Sequence, residues 1–464
     1  MSREVPPPHK RTVPPLRRAA VPQSPRGAVR APAGTTDRRS ASRRPAETRS
    51  GKPAKSSSRS GSGPIGTLRN WLDRPMTSFH LIVAVFLLLL GIGLVMVLSS
   101  SSVTAFQHDD SSFAVFERQL IFAAIGAVGF FFAARLPIRV IRAWSTAFVM
   151  ISLVLLVAVL VPGIGKYVNG ARSWIGVGSY TIQPSEFAKL ALLIWSAHVL
   201  ASRRSSLGSL RQLLIPVIPV ALLMAGLIFL QPDLGTLVTL AIVLAAVMWF
   251  AGAPLWLFIM SSLAGVAGMG YIAISAPYRL DRILALMDPS KFPIQSYQLT
   301  QGLYGMGRGG WLGVGLGQSF AKWLWLPYAD SDFIFAIIGE ELGLLGAGMV
   351  VLLYGLLAYT GLRISRRNVD PFAKITAGAI TVWLVGQATI NIGYVVGVLP
   401  TTGLTLPLIS SGGSSLIVTM TAFGLLANFA RREPAAATAL HANGPGRFAR
   451  FLGIGAGARQ GSAK

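Results

Sequence analysis

The chain lacks cysteine and has very little histidine. Without cysteine there is no disulfide, no thiolate nucleophile and no cysteine-ligated metal site. The five histidines, His9, His80, His108, His198 and His441, form no HExxH motif or other paired-ligand spacing. The sequence also has no GxxxxGK[ST] loop for binding nucleotide phosphates. General acid–base chemistry would therefore have to rest on carboxylates.

Long apolar runs dominate the sequence: 52% of the 464 residues are hydrophobic and 13% are charged. A run of about 20 apolar residues crosses a hydrocarbon core as a helix, where every backbone group needs an internal partner. We predict an all-α polytopic membrane protein with ten transmembrane helices and long extracytoplasmic loops. The predicted spans are roughly 79–99, 119–136, 143–162, 186–202, 213–230, 235–251, 255–276, 333–361, 373–396 and 414–430.

Most of the positive charge lies at the two ends of the chain. The formal net charge is +25, and residues 1–75 carry 17 Lys/Arg against 4 Asp/Glu. Basic tails beside membrane spans are typical of cytoplasmic segments, not of nucleic-acid binding, and could contact membrane lipids. With an even number of spans, the N- and C-termini are both cytoplasmic. We predict a disordered basic arm over 1–75, a membrane domain over 76–432 and a flexible cytoplasmic tail over 433–464.

Three predicted outer loops, residues 163–185, 277–332 and 397–413, are much longer than tight connections. They contain basic residues, which the positive-inside rule disfavours on this side. These residues are Lys166, Arg172, Arg279, Arg282, Lys291, Arg308 and Lys322. An anionic substrate at the outer membrane surface would explain them. The alternative is that long loops are translocated regardless of their charge.

Asp332 is the carboxylate best placed for chemistry. It lies where a polar loop enters the apolar run DFIFAIIG (332–339). Partial desolvation there would raise its pKa and suit it to proton abstraction. The alternative is that Asp332 only caps the helix that follows.

Other carboxylates have structural explanations beside functional ones. Glu186 and Lys189 are spaced i and i+3, so they could pair on one helix face or contact a substrate. Asp233 could cap the helix that follows it. Glu340 and Glu341 lie inside an apolar helix, where we expect internal pairing instead of direct chemistry.

Five motifs resemble the signatures of the SEDS family (shape, elongation, division and sporulation proteins) and together cover about residues 80–430. In chain order they are GARSWIGVGSYTIQPSEFAK (170–189), QPDLGT (231–236), QSYQLTQGLYGMGRGGW (295–311), WLGVGLGQSFAKWLWLPYADSDFIFAIIGEELG (311–343) and LPTTGLTLPLISSGGSSL (399–416). The run GLVMVLSSSSV (93–103) is similar to the division-septum branch of the family.

The resemblance implies a peptidoglycan glycosyltransferase. Such an enzyme polymerises lipid II into β-1,4-linked glycan strands and releases undecaprenyl pyrophosphate. The catalytic Asp of the family corresponds to Asp332, which would activate the attacking hydroxyl. A loop Lys corresponds to Lys322, which would attract pyrophosphate as a point charge. Supporting roles in substrate binding or in shaping the cavity fall on Arg172, Gln183, Glu186, Lys189, Asp233 and Arg279.

Three residues depart from the family pattern. Tyr328 stands where Glu is usual, Asp330 where His is common, and Ser411 where Tyr is common. Asp330 and Asp332 could couple electrostatically or hold a divalent cation such as Mg²⁺ or Mn²⁺.

The resemblance also implies a partner, a class B penicillin-binding transpeptidase that docks on the outer loops, together with other division proteins. Two rival functions are a flippase that moves lipid II across the membrane and a non-catalytic scaffold for division proteins. A carboxylate at a loop–helix boundary fits surface chemistry better than translocation through the midplane.

Overall fold

Apolar helices make up most of the chain. The structure is a computed structural model that describes residues 74–109, 111–168, 171–177, 180–203, 210–274, 284–286, 288, 290–323 and 325–443. The helices are α1 (Thr77–Asp109), α2 (Ala114–Arg135), α3 (Ile138–Leu160), α4 (Pro184–Ser202), α5 (Leu210–Leu214), α6 (Ile218–Phe229), α7 (Leu234–Ala251), α8 (Leu255–Ile274), α9 (Pro293–Gly309), α10 (Ile334–Glu341), α11 (Gly343–Arg367), α12 (Pro371–Val395), α13 (Gly413–Arg431) and α14 (Pro434–Asn443).

Seven helices in the described residues are long and apolar enough to cross a membrane. They are α1, α2, α3, α7, α11, α12 and α13. The other three predicted spans overlap α4, α6 and α8. The prediction of a polytopic helical membrane protein is therefore confirmed. The predicted arm falls almost entirely on residues 1–73, outside the described residues, and the predicted tail begins with α14.

The first of the three long loops predicted to be extracytoplasmic contains a small sheet, so the prediction of a purely α-helical fold is wrong at this point. Strands β1 (Gly165–Val168), β2 (Ala171–Val177) and β3 (Tyr180–Ile182) pair antiparallel in the order β1-β2-β3. Aromatic and β-branched residues, which favour strands, occur in all three. The segments are too short for their alternation to be distinguished from loop sequence.

The single span predicted over 333–361 is also wrong, because the helix breaks between α10 and α11. Gly343 has φ +68°, a left-handed conformation that glycine adopts without strain. A side chain at Gly343 would overlap the backbone nitrogen of Gly313. The break therefore results from a close approach between two backbone segments that are distant in sequence.

Contacts between helix ends show which ends of the bundle coincide. Arg367, at the end of α11, lies 3.9 Å from Glu433, which follows α13. Ser78, at the start of α1, lies beside the same carboxyl group. At the far end of α1, the hydroxyl of Ser99 donates to Glu341. The beginning and the end of the described membrane domain therefore lie at one end of the bundle, opposite the end that holds Ser99 and Glu341.

Small residues allow α2 and α13 to pack closely. The side chains of Met420 and Thr421 lie directly against Gly126 and Gly129 of α2. Gly424 of α13 in turn faces the backbone carbonyl of Phe130. Close approach of this kind is how helices associate in lipid, where apolar surface alone gives no preference for a neighbouring helix.

We expect Gly424→Ala to destabilise the protein, because the new methyl group would overlap the carbonyl oxygen of Phe130. The cost should be about 1–3 kcal/mol and lower the unfolding midpoint of the purified protein in detergent. Gly355→Ala is the matched control, since nothing lies within 4 Å of its new methyl group. Equal midpoints for the two variants would contradict the close packing.

Candidate active site

Asp332 lies in the turn before α10, and it does not cap that helix. The N-terminal cap position of α10 is Phe333, where no side-chain capping hydrogen bond forms. The side chain of Asp332 is half-buried, and its carboxylate accepts no hydrogen bond from the residues that the structure describes. The helix-cap alternative is therefore wrong, and the carboxylate is left available for another group.

The backbone of Asp332 is held firmly although its carboxylate is not. Its carbonyl oxygen accepts hydrogen bonds from Asn391 Nδ2 at 3.0 Å and from the Tyr394 hydroxyl at 2.9 Å. The same two groups lie 2.6 and 2.7 Å from the carbonyl oxygen of Leu404. The Asp332 turn is thus joined to α12 and to the segment over 399–416.

This 399–416 segment also fixes the two residues that precede Asp332. The Ser410 hydroxyl donates to the carbonyl of Ser331 at 2.7 Å, and the Ser411 amide donates to the carbonyl of Asp330 at 2.9 Å. Gly403 has φ +71°, and a side chain there would lie 3.7 Å from Asp332 Oδ2. Glycine at this position therefore keeps open the space beside the carboxylate.

Tyr328 closes the same turn from its other side. Its carbonyl oxygen accepts hydrogen bonds from the amides of Ser331 and Phe333, both at 3.2 Å. Its φ of +58° is unusual for an aromatic residue, so the surrounding contacts hold a strained backbone in place.

Burial changes the acidity of both carboxyl groups in the turn. It raises the pKa of Asp332 to about 6, and the neighbouring charge of Asp330 adds to the rise. Burial also raises the pKa of Asp330, while hydrogen bonds from its own backbone and from Ser411, and the charge of Arg118, oppose that rise. Asp332 is therefore a base whose pKa lies close to neutrality.

Gln183 and Asp233 form a second polar group near the 399–416 segment. The side-chain Nε2 of Gln183 donates to Asp233 Oδ2 at 2.7 Å, and the backbone amide of Gln183 donates to the Ser414 hydroxyl at 3.1 Å. Asp233 also accepts from the Thr236 amide at 3.0 Å, which confirms that it caps α7. A side chain at Gly235 would meet the carbonyl of Thr402, next to the glycine that faces Asp332.

Glu186 and Lys189 form the predicted ion pair on α4. Lys189 Nζ lies 2.8 Å from Glu186 Oε1, and the lysine is completely buried. The ammonium group also lies 5.4 Å from the centre of the Trp383 ring. The two charges satisfy each other within the bundle.

The two predicted arginines are placed differently. Arg172 lies in β2, where it pairs in register with Tyr167 of β1 and is half-buried. Arg279 lies outside the described residues. A substrate role for either one stays a prediction.

Lys322 lies in a buried ion pair with Glu341. Its Nζ is 3.7 Å from Glu341 Oε1, and it donates to the backbone carbonyls of Gly317 at 2.6 Å and Ser99 at 3.4 Å. Only 5% of Lys322 is exposed. Contact with a substrate pyrophosphate, which stays a prediction, would require Lys322 to leave this pair.

The Glu340 side chain binds the same loop, mainly through the backbone amides of residues 320 and 321. Its carboxylate accepts from the Ser319 hydroxyl at 2.5 Å and from the amides of Phe320 and Ala321 at 2.9 and 3.3 Å. Arg308 of α9 reaches it at 3.5 Å. The predicted internal pairing of Glu340 and Glu341 is confirmed.

The carboxylates of the described residues form no cluster of three or more metal-ligating side chains. Asp330 and Asp332 alone offer two carboxylates, fewer than the ligand sets that usually hold Mg²⁺ or Ca²⁺ in proteins without help from substrate or water. A divalent cation at this turn would have to bind mainly through substrate oxygens.

Several residues that position the site were missed by the sequence analysis. They are Arg118, Gln119, Asn391, Tyr394 and Ser410. Gln119 of α2 illustrates them, since its amide nitrogen donates to the Ser410 carbonyl at 3.3 Å. The sequence feature that could have identified them is a polar side chain within an apolar helix, because such a side chain needs a hydrogen-bond partner there.

The helical bundle and the acidic turn at its loop end define a polytopic membrane protein with a candidate catalytic carboxylate. The sequence profile of the FtsW/RodA/SpoVE family, described as cell cycle proteins, matches residues 79–434. The chain belongs to this family.

Two curated relatives are similar over most of their length. Mycobacterium tuberculosis has a protein named probable peptidoglycan glycosyltransferase FtsW, which is 46% identical over 90% of this chain and 81% of its own length. The stage V sporulation protein E of Bacillus subtilis is 42% identical over 76% of this chain and 96% of its own.

Solved structures agree with the fold. One belongs to a peptidoglycan synthase complex studied for its coordination of polymerization and crosslinking, with a TM-score of 0.62 and 28% identity over 78% of this chain and 99% of that one. The rod shape determining protein RodA of Thermus thermophilus gives a TM-score of 0.56 and 26% identity over 79% and 99% of the two chains.

We expect Lys322→Met to lower the stability strongly, because it leaves the buried Glu341 carboxylate without its cation. Loss of one member of such a pair costs about 3–5 kcal/mol. Adding Glu341→Gln should recover most of the loss, measured as the unfolding midpoint in detergent.

Lys291→Met is the matched control for this experiment. Lys291 pairs with Asp288 at 2.8 Å, but its side chain is 75% exposed. Exposed pairs contribute little to stability. A midpoint for Lys322→Met as high as that of Lys291→Met would contradict a structural role for the buried pair.

Proposed function

We propose that the chain is a peptidoglycan glycosyltransferase that polymerises lipid II during septal cell-wall synthesis, with Asp332 as the catalytic base. One observation carries the assignment of the residue. The Asp332 carboxylate is unpaired among the described residues and has a pKa of about 6, while its backbone is fixed by Asn391 and Tyr394. Relatives named as FtsW support the reaction class.

The reaction places one proton transfer on Asp332. The carboxylate accepts the proton of the acceptor sugar's 4-hydroxyl as that oxygen forms a bond to the anomeric carbon of the donor. The bond between the anomeric carbon and the phosphate oxygen breaks, and undecaprenyl pyrophosphate leaves with the electron pair. Attack from the opposite face inverts the anomeric centre and gives the β-1,4 link.

The lipid pyrophosphate needs cationic and polar partners near the base. Arg172 is supported as one by its position on the small outer sheet, and Gln183 and Asp233 by their contact with Ser414 and α7. Glu186 and Lys189 shape the cavity as a buried pair. Arg279 and Lys322 are the remaining proposed substrate contacts.

The proposed topology has ten spans with both termini in the cytoplasm and the Asp332 turn outside. It is supported by the contact of Arg367 with Glu433 at the end of the bundle opposite Asp332. The proposed partner is a class B penicillin-binding transpeptidase, supported by the structural similarity to a chain of a peptidoglycan synthase complex. The chain would act at the division septum with other division proteins.

We expect Asp332→Asn to reduce polymerisation of lipid II by about 10²–10⁴-fold, the usual contribution of a general base. The measurement compares glycan products from the full-length protein with its transpeptidase partner. Asp288→Asn is the matched control, because Asp288 is an exposed carboxylate of the same outer segment. Undiminished polymer from Asp332→Asn would remove Asp332 as the base. Lipid II translocation without polymer from the wild type would favour a flippase.

The pH dependence gives an independent test. Only ionised Asp332 can accept a proton, so the rate should fall as the pH decreases through about 6. Asp330→Asn removes a neighbouring negative charge that raises the pKa of Asp332, so the midpoint of this fall should move to lower pH. An unchanged midpoint in Asp330→Asn would contradict the coupling, and Asp288→Asn should leave the profile unchanged.

A further inference from the structure

Three arginines meet at the end of the bundle opposite Asp332. Arg135 is the last residue of α2, Arg431 is the last residue of α13, and Arg432 follows it. Arg432 and Arg135 both lie near enough to Arg431 to repel its charge, while Asp370 attracts Arg432. The fold therefore brings like charges together where helices α2 and α13 end.

Hydrogen bonds connect the ends of α2 and α13 where these arginines lie. Asn428 Nδ2 donates to the carbonyls of Ala133 and Leu136, both at 2.8 Å, so it closes the end of α2. The Arg431 guanidinium donates to the Ala134 carbonyl. Arg432 Nε donates to Asn428 Oδ1 at 2.8 Å. Hydrogen bonds to the ends of α2 and α13 thus hold the guanidinium groups of Arg431 and Arg432 in place.

Two donors of this group lack acceptors. The Nε atoms of Arg135 and Arg431 are both buried, and neither has a hydrogen-bond partner in the described part of the chain. A buried donor without an acceptor costs free energy, and such groups usually have a partner in native proteins. An oxyanion with several acceptor oxygens beside the guanidinium groups would reduce the repulsion among the three cations.

The surroundings are suited to a lipid. Phe132 is 58% exposed beside Arg135, and Leu136 is 36% exposed. The Arg135 guanidinium lies 3.5 Å from the centre of the Phe131 ring. A phosphate bound by the arginines would therefore have an apolar surface next to it for acyl chains.

We propose that Arg135, Arg431 and Arg432 bind the phosphate of an anionic phospholipid in the leaflet at this end of the bundle. The planar guanidinium groups suit phosphate oxygens, which they contact in pairs. Binding would link the ends of α2 and α13. This proposal is independent of the glycosyltransferase activity.

The test uses the purified full-length protein in detergent, titrated with phosphatidylglycerol, phosphatidylcholine or inorganic phosphate. Unfolding midpoints and native mass spectrometry measure stabilisation and binding. We expect phosphatidylglycerol to raise the midpoint and to bind about tenfold tighter than phosphatidylcholine, the equivalent of one charge-assisted contact. Inorganic phosphate at the same concentration should have little effect.

Arg135→Gln is the principal variant, because Arg135 Nε has no hydrogen-bond partner within the described residues that the substitution would remove. It should weaken phosphatidylglycerol binding about tenfold, and Arg135→Lys should also weaken it although the charge is kept. Arg366→Gln, an exposed arginine at the same end of the bundle, is the matched control and should bind normally. The lipid-free midpoint of each variant verifies that it is folded.

Three results would overturn the proposal. Equal loss of binding in Arg366→Gln and Arg135→Gln would indicate diffuse attraction to the membrane surface. Equal stabilisation by the two phospholipids would exclude recognition of the anionic lipid. Stabilisation by inorganic phosphate to the same extent would assign the arginines to a free anion.

Discussion

The candidate site depends on hydrogen bonds to backbone carbonyls in the Asp332 turn. The carbonyl of Asp330 accepts from Ser411, and that of Asp332 accepts from Asn391 and Tyr394. Because these hydrogen bonds go to the backbone, they fix the position of Asp332 and leave its carboxylate oxygens available to accept other hydrogen bonds. Fixed geometry together with an unpaired functional group is the arrangement that catalysis requires.

The C-terminal end of α10 carries two buried carboxylates. Glu340 and Glu341 are almost fully buried, so their charges need donors. Backbone amides at Phe320 and Ala321 and the ammonium of Lys322 supply them. The same carboxylates therefore fold the loop before Asp332, and α10 is attached to the bundle at both of its ends.

Two of the three departures from the family pattern, Asp330 and Ser411, contact each other in the fold. Asp330 and Ser411 are far apart in sequence, yet the backbone amide of Ser411 donates a hydrogen bond to the Asp330 carbonyl. The Ser411 side chain also hydrogen-bonds the Asp330 carboxyl group, which partly offsets the rise in pKa that burial causes. A change at one position therefore alters the surroundings of the other. Tyr328 closes the same turn in a left-handed conformation.

Apolar runs by themselves determined the helices, because a membrane span needs only length and hydrophobicity. Asp332 could also be chosen from sequence, because it lies where a polar loop enters an apolar helix and within a motif that resembles the family signature. Tertiary structure alone decided that Lys322 is buried against Glu341, that Gly343 breaks a helix and that residues 165–182 form a sheet. It also brought Gln119, Asn391 and Tyr394 to the site. Each of these outcomes depends on contacts between segments distant in sequence, which local composition and periodicity do not encode.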